Sequence, residues 1–259
     1  MSLSVKTMLE WKNSGDSPEI LFWVGSAGSF DDRAKKITRA FVKIMNRANV
    51  KFGVLGTEES ASGDVAKRAG NEFLFQMQAI NNIQILDSYT VKRIVTTCPH
   101  EFNTLKNEYK ELGGNYDVVH HTEFIYELIK HQRLLLSDNL KNKKITYHDP
   151  CYLGRGNSIF TIPRKLIEMI GLQLIEMPRS KKESFCCGAG GAQMFKEPEK
   201  GMEDININRT REALATKVSL IATACPFCNT MMGDGVKNLA EGKVEVLDIA
   251  ELIVQSEKL

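Results

Sequence analysis

The sequence of 259 residues repeats itself at an offset of roughly 125 residues, and this repeat restricts the fold more than any other feature. Four pairs of similar segments carry the repeat: Val24–Gly28 with Asp149–Leu153, Ala61–Asp64 with Cys186–Ala189, Thr96–Thr104 with Thr223–Met231, and Glu127–Ile129 with Glu251–Ile253. Self-similarity at a nearly fixed spacing indicates that one structural unit occurs twice. We therefore predict two related halves, residues 1–136 and 137–259, with the polar stretch Ser137–Lys144 as the linker.

Short β-branched or aromatic runs alternate with longer amphipathic segments in both halves. The expected strands are Ile20–Val24, Lys51–Leu55, Arg93–Thr97, Lys144–His148, Leu172–Ile175, Ser219–Thr223 and Val244–Leu247. The expected helices are Asp32–Asn46, Asp64–Ile80, Phe102–Leu112 and Asn229–Leu239. Within the second, the residues at helical spacing that form the expected inner face are Val65, Ala69, Phe73, Met77 and Ile80. This alternation predicts an α/β fold of two tandem related halves with mainly parallel sheets. In such sheets, functional groups collect on the loops that leave the C-terminal ends of the strands.

Composition places the chain among ordinary globular proteins, because 42% of its residues are hydrophobic and 25% are charged. This balance excludes a disordered, fibrous or membrane-spanning chain. Lys and Arg number 34 against 32 Asp and Glu, so electrostatics give no reason to expect nucleic acid as a partner. The first residues mix charges without an apolar run, and we expect a cytoplasmic protein with no secretory signal and no transmembrane segment. In a reducing compartment, clustered cysteines are metal ligands or redox thiols more often than disulfides.

Five of the six cysteines lie in the second half and form three groups. The groups are Cys151, the adjacent pair Cys186 and Cys187, and the Cys-x-x-Cys element of Cys225 and Cys228. Each group follows a predicted strand, so three loops from one sheet edge can bring the thiols to one point. Thiolates that converge in this way form a soft site suited to iron or zinc.

Two local features of these loops suit an anionic metal centre. Pro226 fits the first turn of a helix, where a missing N–H costs nothing, and the free N–H groups of that turn stabilise negative charge. Gly188, with Gly190 and Gly191, lets backbone N–H groups approach the sulfurs and lets the chain take positive φ.

The number of thiols bears on the kind of metal. Zinc prefers four ligands in a tetrahedron, so a fifth cysteine argues against a simple zinc site. Vicinal cysteines are awkward for a cubane cluster, in which each iron takes one terminal thiolate. Five thiolates suit a cluster that is opened or bridged. Two interpretations without a metal stay open, namely buried apolar cysteines and a disulfide or dithiol-exchange site at Cys186 and Cys187.

The stretches HDPCYLGR, CCGAGGAQMFKE and CPFCNTM resemble the CCG, or cysteine-rich, domain of iron–sulfur oxidoreductases. This domain occurs in heterodisulfide reductase and in the iron–sulfur subunits of glycolate oxidase and the L-lactate oxidation complex. The resemblance covers nearly the whole chain, since such proteins often carry two of these halves in tandem. It implies one [4Fe–4S] cluster per chain, which is non-cubane in the heterodisulfide reductase relatives. The ligands implied by resemblance are Cys151, Cys186, Cys187, Cys225 and Cys228, with Gly188 in the cofactor-binding loop.

The first half departs from the family pattern at the matching positions. Ser26, Ala61 and Glu101 stand where relatives of this kind have cysteines, and only Cys98 is kept. Alanine cannot ligate iron, and one thiolate does not hold a cluster. We therefore expect a degenerate first half without a normal iron–sulfur centre.

The resemblance implies an iron–sulfur electron-transfer subunit of a larger oxidoreductase. Its partner would carry ferredoxin-type clusters or flavin, with a link to a quinone-reducing complex at the inner face of the membrane. Two alternatives remain: a subunit whose cluster itself cleaves a heterodisulfide, and a non-redox protein that binds zinc. His148, three residues before Cys151, is better explained as a hydrogen-bonded histidine at a strand end than as a proton shuttle or a donor to a cluster sulfur.

Overall fold

The computed structural model of the protein describes residues 3–137, 139–197 and 200–259. The chain forms two compact units, residues 1–134 and 135–259. Asp138, within the predicted linker, lies outside the described residues. Both units are α/β and each contains a parallel sheet, so the fold class predicted from the sequence is confirmed.

The N-terminal unit has a five-stranded sheet with helices between the strands. Its strands are β1 (Lys6–Thr7), β2 (Ile20–Trp23), β3 (Phe52–Val54), β4 (Arg93–Thr96) and β5 (Asp117–His120). Its helices are α1 (Met8–Asn13), α2 (Gly25–Phe30), α3 (Asp32–Arg47), α4 (Asp64–Arg68), α5 (Glu72–Ser88), α6 (Pro99–Asn103) and α7 (His121–Lys130). All four residues of β2 are buried, as expected for a central parallel strand that is covered on both faces.

The C-terminal unit has a four-stranded sheet. Its strands are β6 (Lys144–Tyr147), β7 (Gln173–Leu174), β8 (Leu220–Thr223) and β9 (Glu245–Asp248). Its helices are α8 (Thr161–Met169), α9 (Ile205–Ala215), α10 (Pro226–Ala240) and α11 (Ile249–Glu257). One part of the core joins strands β8 and β9 to helices α9 and α10, through Met177, Ala213, Ile221, Met232, Val236 and Val246.

Strand order shows that the two units repeat one topology. The N-terminal sheet runs β1-β3-β2-β4-β5 and the C-terminal sheet runs β7-β6-β8-β9. With β2 to β5 matched to β6 to β9, the two orders are the same, and β1 is an additional edge strand. The predicted repeat is therefore a repeat of structure, and corresponding loops leave corresponding strands.

The last landmark of the repeat needs a correction of one helical turn. The sequence alignment of the two halves pairs Glu127 with Glu251. In the structure Glu251 is the third residue of α11, and its carboxylate accepts a hydrogen bond from the N–H of the N-cap Asp248 at 2.9 Å. The equivalent third residue of α7 is Glu123, which accepts from the N–H of His120 at 3.3 Å. Residues four apart lie on one helix face, which is why the sequence match slipped by one turn.

The helix predicted over Asp64–Ile80 is wrong, because the chain breaks it. Gly70 has φ +85°, in the left-handed region, and Asn71 begins α5 by accepting a hydrogen bond from the Leu74 N–H at 3.1 Å. The break turns the second helix, so that Phe73, Met77 and Ile80 of the predicted inner face are exposed. The buried face of α5 consists of Phe75, Ala79, Asn82, Ile83 and Leu86.

The helix predicted over Phe102–Leu112 is irregular. It begins as α6, continues as one π-helical turn over Thr104–Glu108 and ends as a 3₁₀ turn over Tyr109–Leu112. Among the described residues, no helix has both the length and the apolar composition that crossing a membrane requires.

Candidate functional site

Four of the five cysteines of the C-terminal unit lie on loops that leave the same edge of its sheet, and Cys228 lies in the first turn of α10. Cys151 follows β6, the pair Cys186 and Cys187 belongs to the loop between β7 and α9, and Cys225 directly precedes α10. β6, β7 and β8 are parallel neighbours, so their C-terminal ends face one direction. The structure thus brings together the three loops that the sequence singled out.

The thiols form a connected chain of contacts. The sulfurs of Cys187 and Cys228 are 3.3 Å apart, and the thiols of Cys151 and Cys187 both hydrogen-bond to the sulfur of Cys186. All five cysteines keep their thiols and none is joined in a disulfide within the described chain. Cys187, Cys225 and Cys228 are buried, while Cys151 and Cys186 are partly exposed, so the site is open on one side.

Cys186 is the thiol whose surroundings favour ionisation. Hydrogen bonds from the Cys151 thiol, the Cys187 thiol and the Gly188 N–H lower the pKa of Cys186. The hydrogen bond to Cys186 is the main reason why the pKa of Cys151 and the pKa of Cys187 are raised. The metal-free site therefore concentrates negative charge on one sulfur, and metal binding has to displace the remaining protons.

Backbone N–H groups face two of the sulfurs. The Gly188 N–H donates to Cys186 Sγ at 3.3 Å, and Gly188 has φ +94°. Cys225 is the N-cap of α10, where its Sγ accepts from the Cys228 N–H at 3.5 Å, and Pro226 is the first helical residue. Both features agree with the roles that the sequence assigned to Gly188 and Pro226.

An ion pair ties the loops of Cys151 and Cys186 together. The Arg164 guanidinium donates to both carboxylate oxygens of Asp149, at 2.7 and 2.8 Å. Asp149 also accepts from the Lys181 N–H at 2.8 Å through its side chain and from the Ser184 hydroxyl at 3.0 Å through its carbonyl. Because Asp149 and Arg164 are buried, removing one partner leaves an uncompensated charge, and we expect the loops to lose their alignment.

His148 lies beside the cysteines and is held by Arg209. A ring nitrogen of His148 is within 4.8 Å of the sulfurs of both Cys187 and Cys228, and all three residues are buried. His148 Nδ1 accepts a hydrogen bond from Arg209 Nε at 3.0 Å. Burial, together with the neighbouring Arg209 charge, lowers the pKa of His148 to about 4. His148 is therefore a neutral, hydrogen-bonded histidine at neutral pH, at the end of strand β6.

The N-terminal unit carries different side chains at the positions equivalent to the cysteines. The buried Glu101 carboxylate hydrogen-bonds to the side chain of the buried Ser62, and these residues occupy the positions of Cys228 and Cys187 in the repeat. Ser26 and Ala61, in two further cysteine positions, are exposed, and Cys98 is buried as the N-cap of α6. The structure therefore preserves the Glu101–Ser62 contact but places no second thiol beside Cys98 among the described residues.

Two carboxyl groups, Glu59 and Glu101, lie close together in the N-terminal unit, and Glu101 stands at a cysteine position of the repeat. Glu59 accepts from the N–H groups of Val24 and Gly25 at 3.1 and 2.6 Å. Burial raises the pKa of Glu59 and of Glu101 to about 7, and the two carboxylates also repel each other. The Glu59 carboxyl group thus receives the N–H groups at the start of α2.

The family description of the cysteine-rich domain, CCG, matches residues 20–106 and 145–233. The two matches begin at β2 and at β6, which are equivalent strands of the two units. Together they cover more than half of the chain. The chain belongs to the CCG cysteine-rich domain family. Each unit is thus one CCG domain, and only the C-terminal CCG domain carries the full set of cysteines.

Curated relatives match over almost the entire chain. The probable iron-sulfur-binding oxidoreductase FadF of Bacillus subtilis is 47% identical over 254 residues, which are 97% of this chain and 36% of FadF. EtfAB:quinone oxidoreductase of Syntrophomonas wolfei is 44% identical over 246 residues, 92% of this chain and 34% of the relative. One subunit of the dihydromethanophenazine:CoB--CoM heterodisulfide reductase of Methanosarcina barkeri is 31% identical over 252 residues, 93% of this chain and 59% of the relative.

The chain spans about a third of the length of the first two of these relatives. It is related to iron–sulfur oxidoreductases, as its cysteine motifs indicate. Most of the length of those two relatives lies outside the match.

Sequence reasoning missed the charged residues that support the cysteine loops. Arg209 is fully buried within α9, and nothing in its neighbourhood in the sequence separates it from the solvated arginines of an amphipathic helix. Asp149 is part of the HDPC stretch, so its proximity to Cys151 was a usable signal. Its partner Arg164 lies fifteen residues away on α8 and becomes recognisable only in three dimensions.

Proposed function

We propose that the chain is an iron–sulfur electron-transfer subunit of a larger oxidoreductase, with one [4Fe–4S] cluster in its C-terminal CCG domain. The observation that carries this proposal is the convergence of five thiols from three loops, with two of the sulfurs 3.3 Å apart. The proposed ligands are Cys151, Cys186, Cys187, Cys225 and Cys228. The N-terminal CCG domain, with Ser26, Ala61 and Glu101 in cysteine positions, is proposed to hold no cluster.

The donor set fits an anionic iron–sulfur group. Two backbone N–H groups already face the sulfurs of Cys186 and Cys225. Arg209 is fully buried and paired with Glu212, and its Nη2 has no hydrogen-bond partner among the described residues, so a cationic donor beside the site remains unpartnered. A bound cluster would supply one-electron transfer. The residues of the chain hold the ligand loops together, exclude water from three of the thiols and place positive charge nearby.

The proposed redox partner is inferred from the names of two relatives. FadF is named as an iron-sulfur-binding oxidoreductase and the Syntrophomonas relative as an EtfAB:quinone oxidoreductase. We infer a redox partner that carries ferredoxin-type clusters or flavin, and through it a link to a quinone-reducing complex at the inner membrane face.

Anaerobic purification followed by iron and acid-labile sulfide analysis tests the cluster. We expect about four irons and four sulfides per chain. Cys187→Ser should lose most of the iron and the visible absorption, whereas Cys98→Ser, the matched change in the N-terminal unit, should keep both. A colourless chain with stoichiometric zinc would show that the site is a zinc site. Unchanged iron in Cys187→Ser would disprove the ligand assignment.

A cavity of about 490 Å³ favours a second candidate function, disulfide reduction at the same site. The cavity borders Gly188, directly after the cysteine pair, and is also lined by Met194, Ile205 and Met231. It has room for a small disulfide beside Gly188. Reduction would break one S–S bond with two electrons from the redox partner and two protons from solvent, giving two thiols.

Turnover separates the two functions. The loaded chain is mixed with reduced methyl viologen as donor and glutathione disulfide or cystamine as substrate, and thiol release is followed. An electron relay is expected to oxidise the donor only when a second electron acceptor is present. Steady thiol release from a chain with intact iron would instead assign disulfide reductase activity.

A further inference from the structure

Arg209 of helix α9 makes an unusual set of contacts for a fully buried guanidinium. Its Nη1 donates to Glu212 Oε2 and to the Arg179 carbonyl, both at 2.9 Å. Its Nε donates to His148 Nδ1 at 3.0 Å, and Nη2 lies on the same edge of the planar group as Nε. The guanidinium is thus anchored at one end by an acid and meets an imidazole at the other.

This contact fixes the position of the imidazole proton. Arginine carries only donors, so the nitrogen that it meets must be an acceptor without a proton. His148 Nδ1 is therefore unprotonated, and the ring proton is on Nε2. Without such a partner a neutral histidine can populate both tautomers. The Arg209 contact consequently chooses which nitrogen can donate.

The ring of His148 also lies near two cysteine sulfurs. One of its nitrogens is within 4.8 Å of the sulfurs of Cys187 and Cys228. With Nδ1 engaged by Arg209, Nε2–H is the remaining donor on a buried ring beside two buried sulfurs. Hydrogen bonds to cluster sulfurs are one of the factors that set a cluster's reduction potential.

We propose that Arg209 is a positioning residue that holds His148 in its Nε2–H tautomer, so that His148 donates to the sulfur of Cys187 or Cys228 and raises the reduction potential of the bound cluster. The effect on the reduction potential rests on the proposed function, because it requires a cluster. The tautomer of His148 does not depend on a bound cluster. A donor to sulfur stabilises the reduced state, which carries the additional negative charge, and this sets the direction of the effect.

The tautomer is measured first, by ¹⁵N–¹H spectra of the histidine rings in the metal-free, full-length chain. The parent should show His148 with Nε2 protonated and Nδ1 bare. Arg209→Met should give averaged nitrogen shifts, and Arg209→Lys, which keeps a donor, should restore the parent pattern. A proton on Nδ1 in the parent would overturn the proposal.

The second measurement is the midpoint potential of the anaerobically loaded chain. His148→Phe and Arg209→Met should make reduction about tenfold less favourable, a shift of 59 mV for one electron. His148→Gln, which keeps an N–H donor, and Arg209→Lys should stay near the parent. Arg179→Met is the matched control, since it removes a positive charge from the same Glu212 without touching His148.

The outcomes separate this proposal from the proposed function. His148→Phe with full iron content and the parent potential would overturn the hydrogen-bond role of His148. Equal shifts of the midpoint potential in Arg209→Met and Arg179→Met would mean that Arg209 acts only through its charge. A parent chain that takes up no iron would refute the proposed function, while the tautomer result would still decide the role of Arg209.

Discussion

Gly188 shows how one residue can position the ligand loop. Its φ of +94° lies in the left-handed region, which residues with a Cβ adopt at a cost of about 1–2 kcal/mol. An added Cβ would also lie 3.3 Å from Ile205 Cβ and from Met231 Cε, a tight but not impossible fit. The conformation is needed because it directs the Gly188 N–H at the sulfur of Cys186.

We expect Gly188→Ala to lower the free energy of unfolding by about 1–2 kcal/mol and to reduce the iron retained by the loaded chain. Gly190 provides the control, because its φ is not in the left-handed region and open space surrounds the position of its Cβ. Gly190→Ala should leave both quantities unchanged. Urea denaturation and iron analysis measure them, and equal losses in the two variants would contradict the role given to Gly188.

The buried Glu101 makes stability depend on pH in the N-terminal unit. Burial raises the pKa of Glu101 to about 7, from an ordinary value of 4.5, so its ionised form is disfavoured in the folded chain. Below pH 4.5 the group is neutral in both states and has no effect. Stability is lost as the pH rises from 4.5 to 7, and the full cost remains above pH 7.

Glu101→Gln should therefore stabilise the chain increasingly between pH 4.5 and 7, by up to about 3 kcal/mol at 1.4 kcal/mol per pKa unit. Thermal unfolding at a series of pH values measures the gap between variant and parent. Glu72→Gln, a change on the exposed first turn of α5, should show no such gap. A gap that stays constant with pH would mean that Glu101 is ionised in the folded chain throughout this range.

At the scale of elements, the break at Gly70 decides which face of α5 enters the core. Phe75 is 2% exposed and Phe73 is 76% exposed, although the uninterrupted helical pattern predicted the opposite for Phe73. Phe75→Ala should cost about 3–5 kcal/mol, since it empties a packed site. Phe73→Ala should change the free energy of unfolding by less than about 0.5 kcal/mol. Denaturant titrations compare the two variants. A larger loss of unfolding free energy for Phe73→Ala would favour the unbroken helix.

The sequence was sufficient for the elements that have strong local patterns. Strand β2 is a continuous apolar run, and β8 is apolar up to Thr223, so both could be predicted. The start of α10 could also be predicted, because Pro226 follows the capping residue Cys225. The edge strand β1 could not, because its two residues pair with β3 but carry no alternation of their own. Gly70 was missed because a glycine near the middle of an amphipathic pattern is tolerated in many helices.

The same division applies to the site. Spacing placed the cysteines on loops of one sheet edge, because parallel strands fix where their loops emerge. The contacts of Arg209 with His148 and of Arg164 with Asp149 join elements far apart in the sequence. Such pairs depend on how helices dock on the sheet, which no local pattern records.

At the scale of the whole molecule, two copies of one topology carry the same loop positions with different side chains. The C-terminal copy sets Cys187 against Cys228, and the N-terminal copy sets Ser62 against Glu101. A contact between sulfurs in one unit corresponds to a contact between oxygens in the other. At these positions the two units thus differ in their side chains while sharing the order of four strands.

This equivalence predicts that a second cluster site can be restored. The combined change Ser26→Cys, Ala61→Cys and Glu101→Cys, with the native Cys98, would place four thiols on the loops of the N-terminal sheet edge. The first two positions are exposed, so their substitution leaves the core intact, and the third removes a buried carboxyl group.

After anaerobic reconstitution, the triple variant should contain twice the iron of the parent, with a matching rise in visible absorption. In a Cys187→Ser background it should keep the iron of one site, which assigns the added metal to the N-terminal unit. A folded triple variant with parental iron content would mean that these loops do not converge as those of the C-terminal unit do. The repeat would then extend to topology but not to the geometry of the site, since a cluster requires its thiols to reach one point.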